Sequence, residues 1–377
     1  MTYNLIATSA FGLESIVAQE LKNFGYENIK IENSRVSFSG DLKDIAFCNI
    51  NIRTSDRILI KVGEFDANTF DELFDNTKNI NWSEFLPKDA KIHVSGKSVK
   101  SKLFSTPNCQ AIVKKAIIEN LSSHYKTKTF LETGNLYKIE VSILKDIALI
   151  SLDTSGAGLH KRGYRELSGE APLKETLACA IIMLSRWTSD RTLADLFCGS
   201  GTIPIEAAMI AKNIPVGLNR KFVSEEWDWF PKSVWDEVRQ ISKNNINDNE
   251  IEIYGYDIDK EMIDLAYDNS KKARVDKYIK FKVQDASKFK KQNDYGCIIT
   301  NPPYGQRIGE KDSVRKIYTD MGKLYKNLEN WSFFTLTAND EFERFFGKKA
   351  DKNRKLFNGN IQCYLYQHFA KLPPKNI

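Results

Sequence analysis

Asn301-Pro302-Pro303-Tyr304 is the stretch of this chain whose residue types carry the most specific chemistry. The apolar run before it, Cys297-Ile298-Ile299, reads as the end of a buried parallel strand. Neither proline donates a backbone hydrogen bond, so a strand stops there, and Pro302 pushes Asn301 toward extended geometry. A carboxamide is thereby expected at the carboxyl end of a strand, the edge where open α/β sheets bind ligands. That arrangement suits methylation of a planar exocyclic amine. The lone pair of such an amine is drawn into its ring, which makes it a poor nucleophile. The Asn301 oxygen and the Pro302 carbonyl can accept its hydrogens, favouring a more tetrahedral nitrogen and stabilising the positive charge that develops on it. Tyr304 can stack on the face of the base. The plain alternative is an ordinary Pro-Pro turn after a strand.

A methyl donor needs its own site. Residues 191–197 read as a strand, Cys198-Gly199-Ser200-Gly201-Thr202 as a turn, and a helix follows from Ile203. This is the first half of a dinucleotide-type βαβ unit. Gly199 and Gly201 let the backbone approach a ligand that side chains would exclude. The spacing is neither the G-x-G-x-x-G of nicotinamide and flavin binding nor the G-K-[ST] of a phosphate loop. Asp195 before the turn is an acceptor suited to a cationic amino group, which points to S-adenosylmethionine, whose methionyl end carries an ammonium. The next strand, 251–257, ends in Asp257, where a Rossmann-type site grips ribose hydroxyls; Asp259 reads as a helix cap. The strand at 279–285 ends in Asp285-Ala286, which either meets the adenine amino group or forms a surface turn. A helix over 312–328, a strand over 331–337 and a hairpin around Asn358-Gly359 complete the pattern. Strands alternating with helices, closed by an antiparallel hairpin, predict an α/β doubly wound, Rossmann-like sheet.

The elements ahead of this domain are of another kind. Strand, helix, hairpin, helix and strand over residues 3–62 predict a ferredoxin-like α+β unit. A helix at 70–74, a strand at 90–96, a helix at 109–123 and a hairpin over 137–153 follow. Between strand and helix lies Lys97-Ser98-Val99-Lys100-Ser101-Lys102, basic and rich in hydroxyls. With Lys114 and Lys115 these lysines can contact phosphates, or they form a solvated face. Residues 154–158 are small and read as a linker. Next come His160, Lys161, Arg162, Gly163, Tyr164 and Arg165, a cluster suited to phosphate and base contacts beside an active-site mouth, or to buttressing two domains. Ala171-Pro172-Leu173-Lys174-Glu175 then opens a nearly all-apolar helix, with proline expected in its first turn. Residues 213–250 read as an insertion whose Phe222, Trp227, Trp229, Phe230 and Trp235 form local core rather than a base-stacking platform.

Length and composition set the limits. A chain of 377 residues holds two or three domains. Its net charge of +6 is compatible with a nucleic-acid partner. No stretch reads as a signal peptide, and no apolar run is long enough to span a bilayer. Six scattered cysteines without a C-x-x-C pair and four dispersed histidines predict no metal site and a reducing, cytoplasmic setting.

Asp195, Gly199-x-Gly201, Asp257, Asp285 and Asn301-Pro302-Pro303-Tyr304 together resemble a class I S-adenosylmethionine-dependent methyltransferase of the branch acting on exocyclic amines. Gly96-Lys97-Ser98, Ser101-Lys102-Leu103 and the helix bearing Lys114-Lys115-Ala116 resemble a THUMP domain with its ferredoxin-like companion. The whole chain resembles the bacterial THUMP-containing guanine-N2 methyltransferases of 23S ribosomal RNA. The resemblance implies three parts: a ferredoxin-like unit at 1–45, a THUMP RNA-binding domain at 46–155, and a methyltransferase domain at 160–377. It implies S-adenosylmethionine held by Asp195, Phe197, Gly199, Gly201, Thr202, Asp257, Ile258, Asp285, Ala286 and Asn301, with Asn301 to Tyr304 as the catalytic motif. It implies RNA as the partner, either 23S ribosomal RNA or a ribosome-assembly intermediate. The chain ends soon after its last hairpin, without the second methyltransferase domain fused to some relatives, so a single methylation is expected. A transfer RNA guanine, adenine-N6 methylation of DNA, and an RNA-binding assembly factor with a vestigial cofactor pocket are the competing readings. Carbon methylation through a cysteine nucleophile is disfavoured, because neither Cys198 nor Cys297 has a histidine near it in sequence.

Overall fold

The computed structural model describes residues 1–165, 172–305 and 311–374. The chain divides into two compact units. One is built from residues 1–9, 21–159 and 220–242, the other from 10–20, 160–219 and 243–377.

The first unit is a single seven-stranded sheet with helices. Its strands are β1 (Tyr3–Thr8), β2 (Lys30–Glu32), β3 (Arg35–Gly40), β4 (Arg57–Asp66), β5 (Lys91–Val99), β6 (Leu136–Leu144) and β7 (Ile147–Asp153). The chain's first helices are α1 (Glu14–Asn23), α2 (Leu42–Asn51), α3 (Phe70–Lys78) and α4 (Thr106–Tyr125). Strand order is β2-β3-β1-β4-β7-β6-β5, and only the β5–β6 pairing is parallel. Both expected N-terminal parts contribute strands to this one sheet. Along β6, Tyr137, Ile139, Val141 and Ile143 are buried and alternate with half-exposed Lys138, Glu140 and Ser142. That period of two marks one face as core. The strand expected to stop at Gly96 runs on through Lys97-Ser98-Val99, because β6 offers partners as far as Leu144.

The aromatic cluster at 222–235 is core, but it is core of this first unit. Trp227 is buried, stacks on Tyr137 at 5.1 Å, and donates its indole N–H to the Leu136 carbonyl at 3.0 Å. The Trp229 indole reaches the Phe85 carbonyl at 2.8 Å. A base-stacking platform is not what these rings form.

The second unit contains α5 (Glu175–Leu184), β8 (Thr192–Asp195), α6 (Thr202–Ala211), the end of α7 (Lys232–Asn244), β9 (Ile253–Asp257), α8 (Lys260–Lys272) and β10 (Ile279–Val283). It continues with β11 (Gly296–Thr300), α9 (Lys311–Lys326), β12 (Trp331–Thr337), α10 (Phe342–Phe346), β13 (Lys352–Asn358) and β14 (Ile361–His368). Strand order is β10-β9-β8-β11-β12-β14-β13. The first five strands are parallel, and β14 is antiparallel to both neighbours. Alternate strand residues feed two cores. Leu193, Cys297, Ile299 and Phe334 join one, with Leu13, α5 and α6. Ala194, Ile298 and Phe333 join the other, with Tyr318, Met321 and Phe342. A sheet buried on both faces is the doubly wound arrangement expected. Its strand order reverses between β8 and β11, so the crevice at their carboxyl ends is the topological switch point.

One helix start differs from expectation. Pro172 precedes α5 rather than sitting in its first turn: Lys174 is extended at the cap, its amide N–H held by Asn358 Oδ1 at 3.2 Å. Ala171 lies outside the described residues. No helix among the described residues is long and apolar enough to cross a membrane.

Candidate active site

At the switch point, β8 ends on Asp195, which is 1% exposed. Its Oδ1 accepts the Thr300 hydroxyl at 2.6 Å and the Phe197 amide at 3.1 Å. Burial pushes the carboxyl up to about 7, against these two donors. Thr300 is the last residue of β11, so a single hydrogen bond joins the two strand ends that carry the glycine turn and the Asn-Pro-Pro-Tyr turn.

The glycine turn has a left-handed backbone at both glycines, φ +49° at Gly199 and +83° at Gly201. A Cβ on Gly201 would stand 3.0 Å from Ala266 Cβ, so closeness to α8 demands glycine as well. A Cβ on Gly199 would meet nothing within 4 Å, which leaves space beside the turn for a ligand. Thr202 opens α6 and is buried; Phe197 is half-buried.

Asp257, at the end of β9, accepts the Gly199 amide on Oδ2 at 2.9 Å and the Asp259 amide on Oδ1 at 3.0 Å. Each oxygen keeps a lone pair for a hydroxyl. Asp259 caps α8, as expected, by accepting the Glu261 amide. Ile258 is 71% exposed, a bare apolar side chain beside the acid. Asp285 caps the short turn Ala286–Lys288, and its Oδ1 takes both the Ser287 hydroxyl (2.7 Å) and amide (2.8 Å). Those two donors hold its carboxyl below the usual range.

Beyond β11, Asn301 is half-buried, Pro302 buried and Pro303 exposed. The Tyr304 hydroxyl donates to Asn301 Oδ1 at 2.7 Å, and the Asn339 amide group reaches the Tyr304 carbonyl at 3.4 Å. The Tyr318 hydroxyl bonds the Pro303 carbonyl at 3.0 Å and Thr337 Oγ1 at 2.9 Å. The turn is therefore tied to α9 and β12. Tyr304 packs half-buried against the core, which raises its phenol pKa. Its hydroxyl holds the Asn301 carboxamide oxygen.

The segment 160–165 differs most from expectation. Arg162 and Tyr164, read from sequence as RNA contacts, are buried at 6% and 3% exposure. Both turn to Glu206 on α6: the Tyr164 hydroxyl donates at 2.9 Å, and Arg162 Nε stands 3.6 Å away. The Cys179 thiol takes the other Glu206 oxygen at 2.8 Å. Arg165 pairs with Glu175 at 2.8 Å and reaches Thr202 Oγ1 at 3.2 Å. A carboxylate buried in a helix demands such partners, and this one sits 42 residues from Tyr164, beyond any local pattern. His160 is half-buried and Lys161 exposed.

Among the lysines of the first unit, Lys97 pairs with Glu140 at 2.9 Å and Lys114 with Glu132 at 2.7 Å. Lys102 reaches the Asn68 side chain at 2.9 Å, and Lys115 lies over the Phe74 ring. Lys100 is exposed. Thr300, Glu175, Glu206 and Tyr318 are the residues that sequence reasoning passed over. A threonine directly before Asn301 was the one visible signal.

The chain can now be set beside known proteins. Residues 162–367 match the RMKL-like methyltransferase domain, residues 4–59 the RlmL ferredoxin-like domain, and residues 67–153 the THUMP domain. YpsC of Bacillus subtilis (strain 168) is 48% identical over 376 residues, covering 99% of this chain and 97% of the relative. The ribosomal RNA large subunit methyltransferase K/L of Psychromonas ingrahamii is 33% identical over 376 residues, 97% of this chain but 50% of that one. The chain thus spans about half the length of the K/L relatives it matches. The solved structure of SMU.472 complexed with SAH matches with a TM-score of 0.93 and 42% identity, covering 99% of each chain. The residues present here fit such a cofactor: space beside Gly199, a buried acid at Asp195, and acids at the ends of the next two strands. The chain belongs to the RMKL-like methyltransferases, S-adenosylmethionine-dependent RNA methyltransferases with a RlmL-type ferredoxin-like domain and a THUMP domain ahead of the catalytic one.

Proposed function

We propose that this protein methylates the exocyclic N2 of a guanine in 23S ribosomal RNA. The observation that carries the reading is the Thr300–Asp195 hydrogen bond at 2.6 Å, which places the Asn301 turn beside the glycine turn. When bound, S-adenosylmethionine supplies an electrophilic methyl group on a sulfonium. Asp195 would hold its ammonium, Asp257 its ribose hydroxyls, and Asp285 its adenine amino group, with Ile258 and Ala286 supplying apolar contact for the base. Phe197, Gly199, Gly201 and Thr202 line the turn. Asn301 Oδ1 and the Pro302 carbonyl accept the hydrogens of the guanine amine and stabilise charge developing on it. Pro303 stiffens the turn, and Tyr304 holds the carboxamide in place. No covalent enzyme intermediate is needed, since the nitrogen attacks through its own lone pair. Positioning and electrostatics supply the acceleration. The base must leave its stack, at a cost of about a few kcal/mol. The THUMP region and its surface lysines supply RNA affinity, and such a substrate puts the enzyme in the cytoplasm.

The test is transfer of tritiated methyl to deproteinised 23S ribosomal RNA and, separately, to transfer RNA and DNA, followed by digestion to nucleosides. Label in N2-methylguanosine from 23S RNA is expected. Label confined to methyladenosine or to transfer RNA would refute the substrate, and absence of S-adenosylmethionine binding by calorimetry would favour a non-enzymatic assembly factor.

A further inference from the structure

The two acceptors assigned to the hydrogens of the attacking amine are held differently. Asn301 Oδ1 is fixed directly, by the Tyr304 hydroxyl at 2.7 Å. The Pro302 carbonyl meets no donor among the described residues, so its lone pairs stay open and no bond to it fixes its direction. That direction is set one residue later.

The Pro302 carbonyl lies in the plane of the Pro302–Pro303 peptide. Two torsions at Pro303 separate this plane from the next. The proline ring locks the first at about −65°. The second follows from where the Pro303 carbonyl points, and that carbonyl accepts the Tyr318 hydroxyl at 3.0 Å. The Tyr304 carbonyl, next along, takes the Asn339 side-chain amide at 3.4 Å. With both held, the two peptide planes move as one body, and the Pro302 carbonyl is aimed from behind.

The anchor has a direction. A phenol carries one proton. Tyr318 donates it to the Pro303 carbonyl, which can only accept, so Tyr318 accepts from the Thr337 hydroxyl at 2.9 Å. Thr337 Oγ1 in turn accepts the Asn339 backbone amide at 3.1 Å. The chain runs one way, from the Asn339 N–H through Thr337 and Tyr318 to Pro303, and every proton has an acceptor. Tyr318 on α9 and Thr337 at the end of β12 are both 0% exposed, and the Tyr318 ring meets Phe342 edge-on at 5.1 Å. Burial pushes the phenol up to about 12, so below that pH it remains a donor. In such surroundings consecutive hydrogen bonds reinforce one another.

We propose that Tyr318, oriented by Thr337, is the positioning residue that aims the Pro302 carbonyl at the methyl-accepting nitrogen, with Pro303 as the stiff link between them. The inference rests on the proposed catalytic role of the Asn301 turn. It gives the second proline a task that a more pliable residue would not perform, since a free torsion at position 303 would uncouple the anchor from the acceptor.

The experiment measures tritiated methyl transfer to deproteinised ribosomal and transfer RNA from a strain lacking the gene, well below the melting temperature of each full-length variant, together with the Kd for S-adenosylmethionine by calorimetry. Tyr318→Phe keeps the ring and is expected to lower kcat about tenfold, the loss of one hydrogen bond, with KM for RNA and the cofactor Kd unchanged. Tyr325→Phe takes a hydroxyl from the same helix, where its partner is Lys348, and is expected to leave kcat at the wild-type value. Thr337→Val should lower kcat as well, and the double variant Tyr318→Phe/Thr337→Val should fall short of the product of the two losses by about twofold or more. Wild-type kcat in folded Tyr318→Phe overturns the inference. So does an equal loss in Tyr325→Phe, which would mean that α9 only stiffens the domain, and so do losses that multiply. If Tyr318→Phe does not fold, Thr337→Val decides, and wild-type kcat there overturns the inference. A fully active Asn301→Ala would remove the catalytic reading and this inference with it, whereas an inactive Asn301→Ala beside an unaffected Tyr318→Phe removes the positioning role alone.

Discussion

Thr300→Val removes the hydroxyl that joins the two halves of the site and keeps the shape of the side chain. The hydroxyl donates to Asp195 Oδ1 at 2.6 Å inside a wall where Asp195 is 1% exposed. A hydrogen bond to a charged group contributes about 1.5–3 kcal/mol. One pKa unit corresponds to about 1.4 kcal/mol, so losing the bond raises the Asp195 carboxyl by about one unit or more. That carboxyl already stands at about 7 because it is buried. At pH 7 it is about half ionised in the wild type and about one-tenth ionised in the variant. Binding of an ammonium requires the ionised form, so the Kd for S-adenosylmethionine should rise about fivefold at pH 7. By about pH 9 both proteins are ionised and the difference should nearly vanish. Isothermal calorimetry at the two pH values reads this directly. Equal affinities at pH 7, or the same loss at pH 7 and pH 9, would refute the reasoning.

Asp195→Asn should raise the melting temperature of the cofactor-free protein at pH 8 and lose that advantage toward pH 4. The folded-state pKa of Asp195 is raised, so its contribution is fully present below its unfolded pKa and disappears as pH rises through about 7; scanning calorimetry checks the crossover, and cofactor affinity should fall. Asn301→Ala should abolish tritiated methyl transfer to RNA while leaving the Kd for S-adenosylmethionine nearly unchanged, and residual full activity would contradict its role. Tyr304→Phe keeps the ring but removes the 2.7 Å bond to Asn301 Oδ1. Its kcat should fall about tenfold, the value of one hydrogen bond of about 1.4 kcal/mol, with KM for RNA unchanged; wild-type kcat would show that the ring alone matters.

The parallel strands of the second unit and their order of use were legible because their signals are local. β8, β9 and β11 are short, mostly apolar runs that end in or run directly into an acid or an amide, and glycine or proline marks the turns after β8 and β11. Asp195, Asp257, Asp285 and Asn301 all fall at the carboxyl ends of strands β8 to β11 or just beyond. What stayed hidden depends on distant partners. Nothing near Arg162 and Tyr164 distinguishes a surface cluster from a buried one; Glu206 decides, and it lies on α6. The lysine run at 97–102 looked like an open loop, but pairing with β6 extends the strand and gives Lys97 a carboxylate neighbour in Glu140. The tryptophans at 227 and 229 are core, as their composition predicts, yet only Tyr137 and Phe85 reveal which unit they complete.

The division of the chain has a consequence for its synthesis. Trp227, Phe230 and Trp235 are almost wholly buried in a unit that otherwise ends at residue 159. Leu13, near the amino end, is equally buried in the later unit. A nascent polypeptide released domain by domain would normally settle its first half early. Here that half stays unfinished until residue 242 has left the ribosomal tunnel, and the second half waits with a segment made at the outset. Cutting the gene at the apparent linker would leave both fragments with holes, so the two parts are bound to be inherited, and recombined, together.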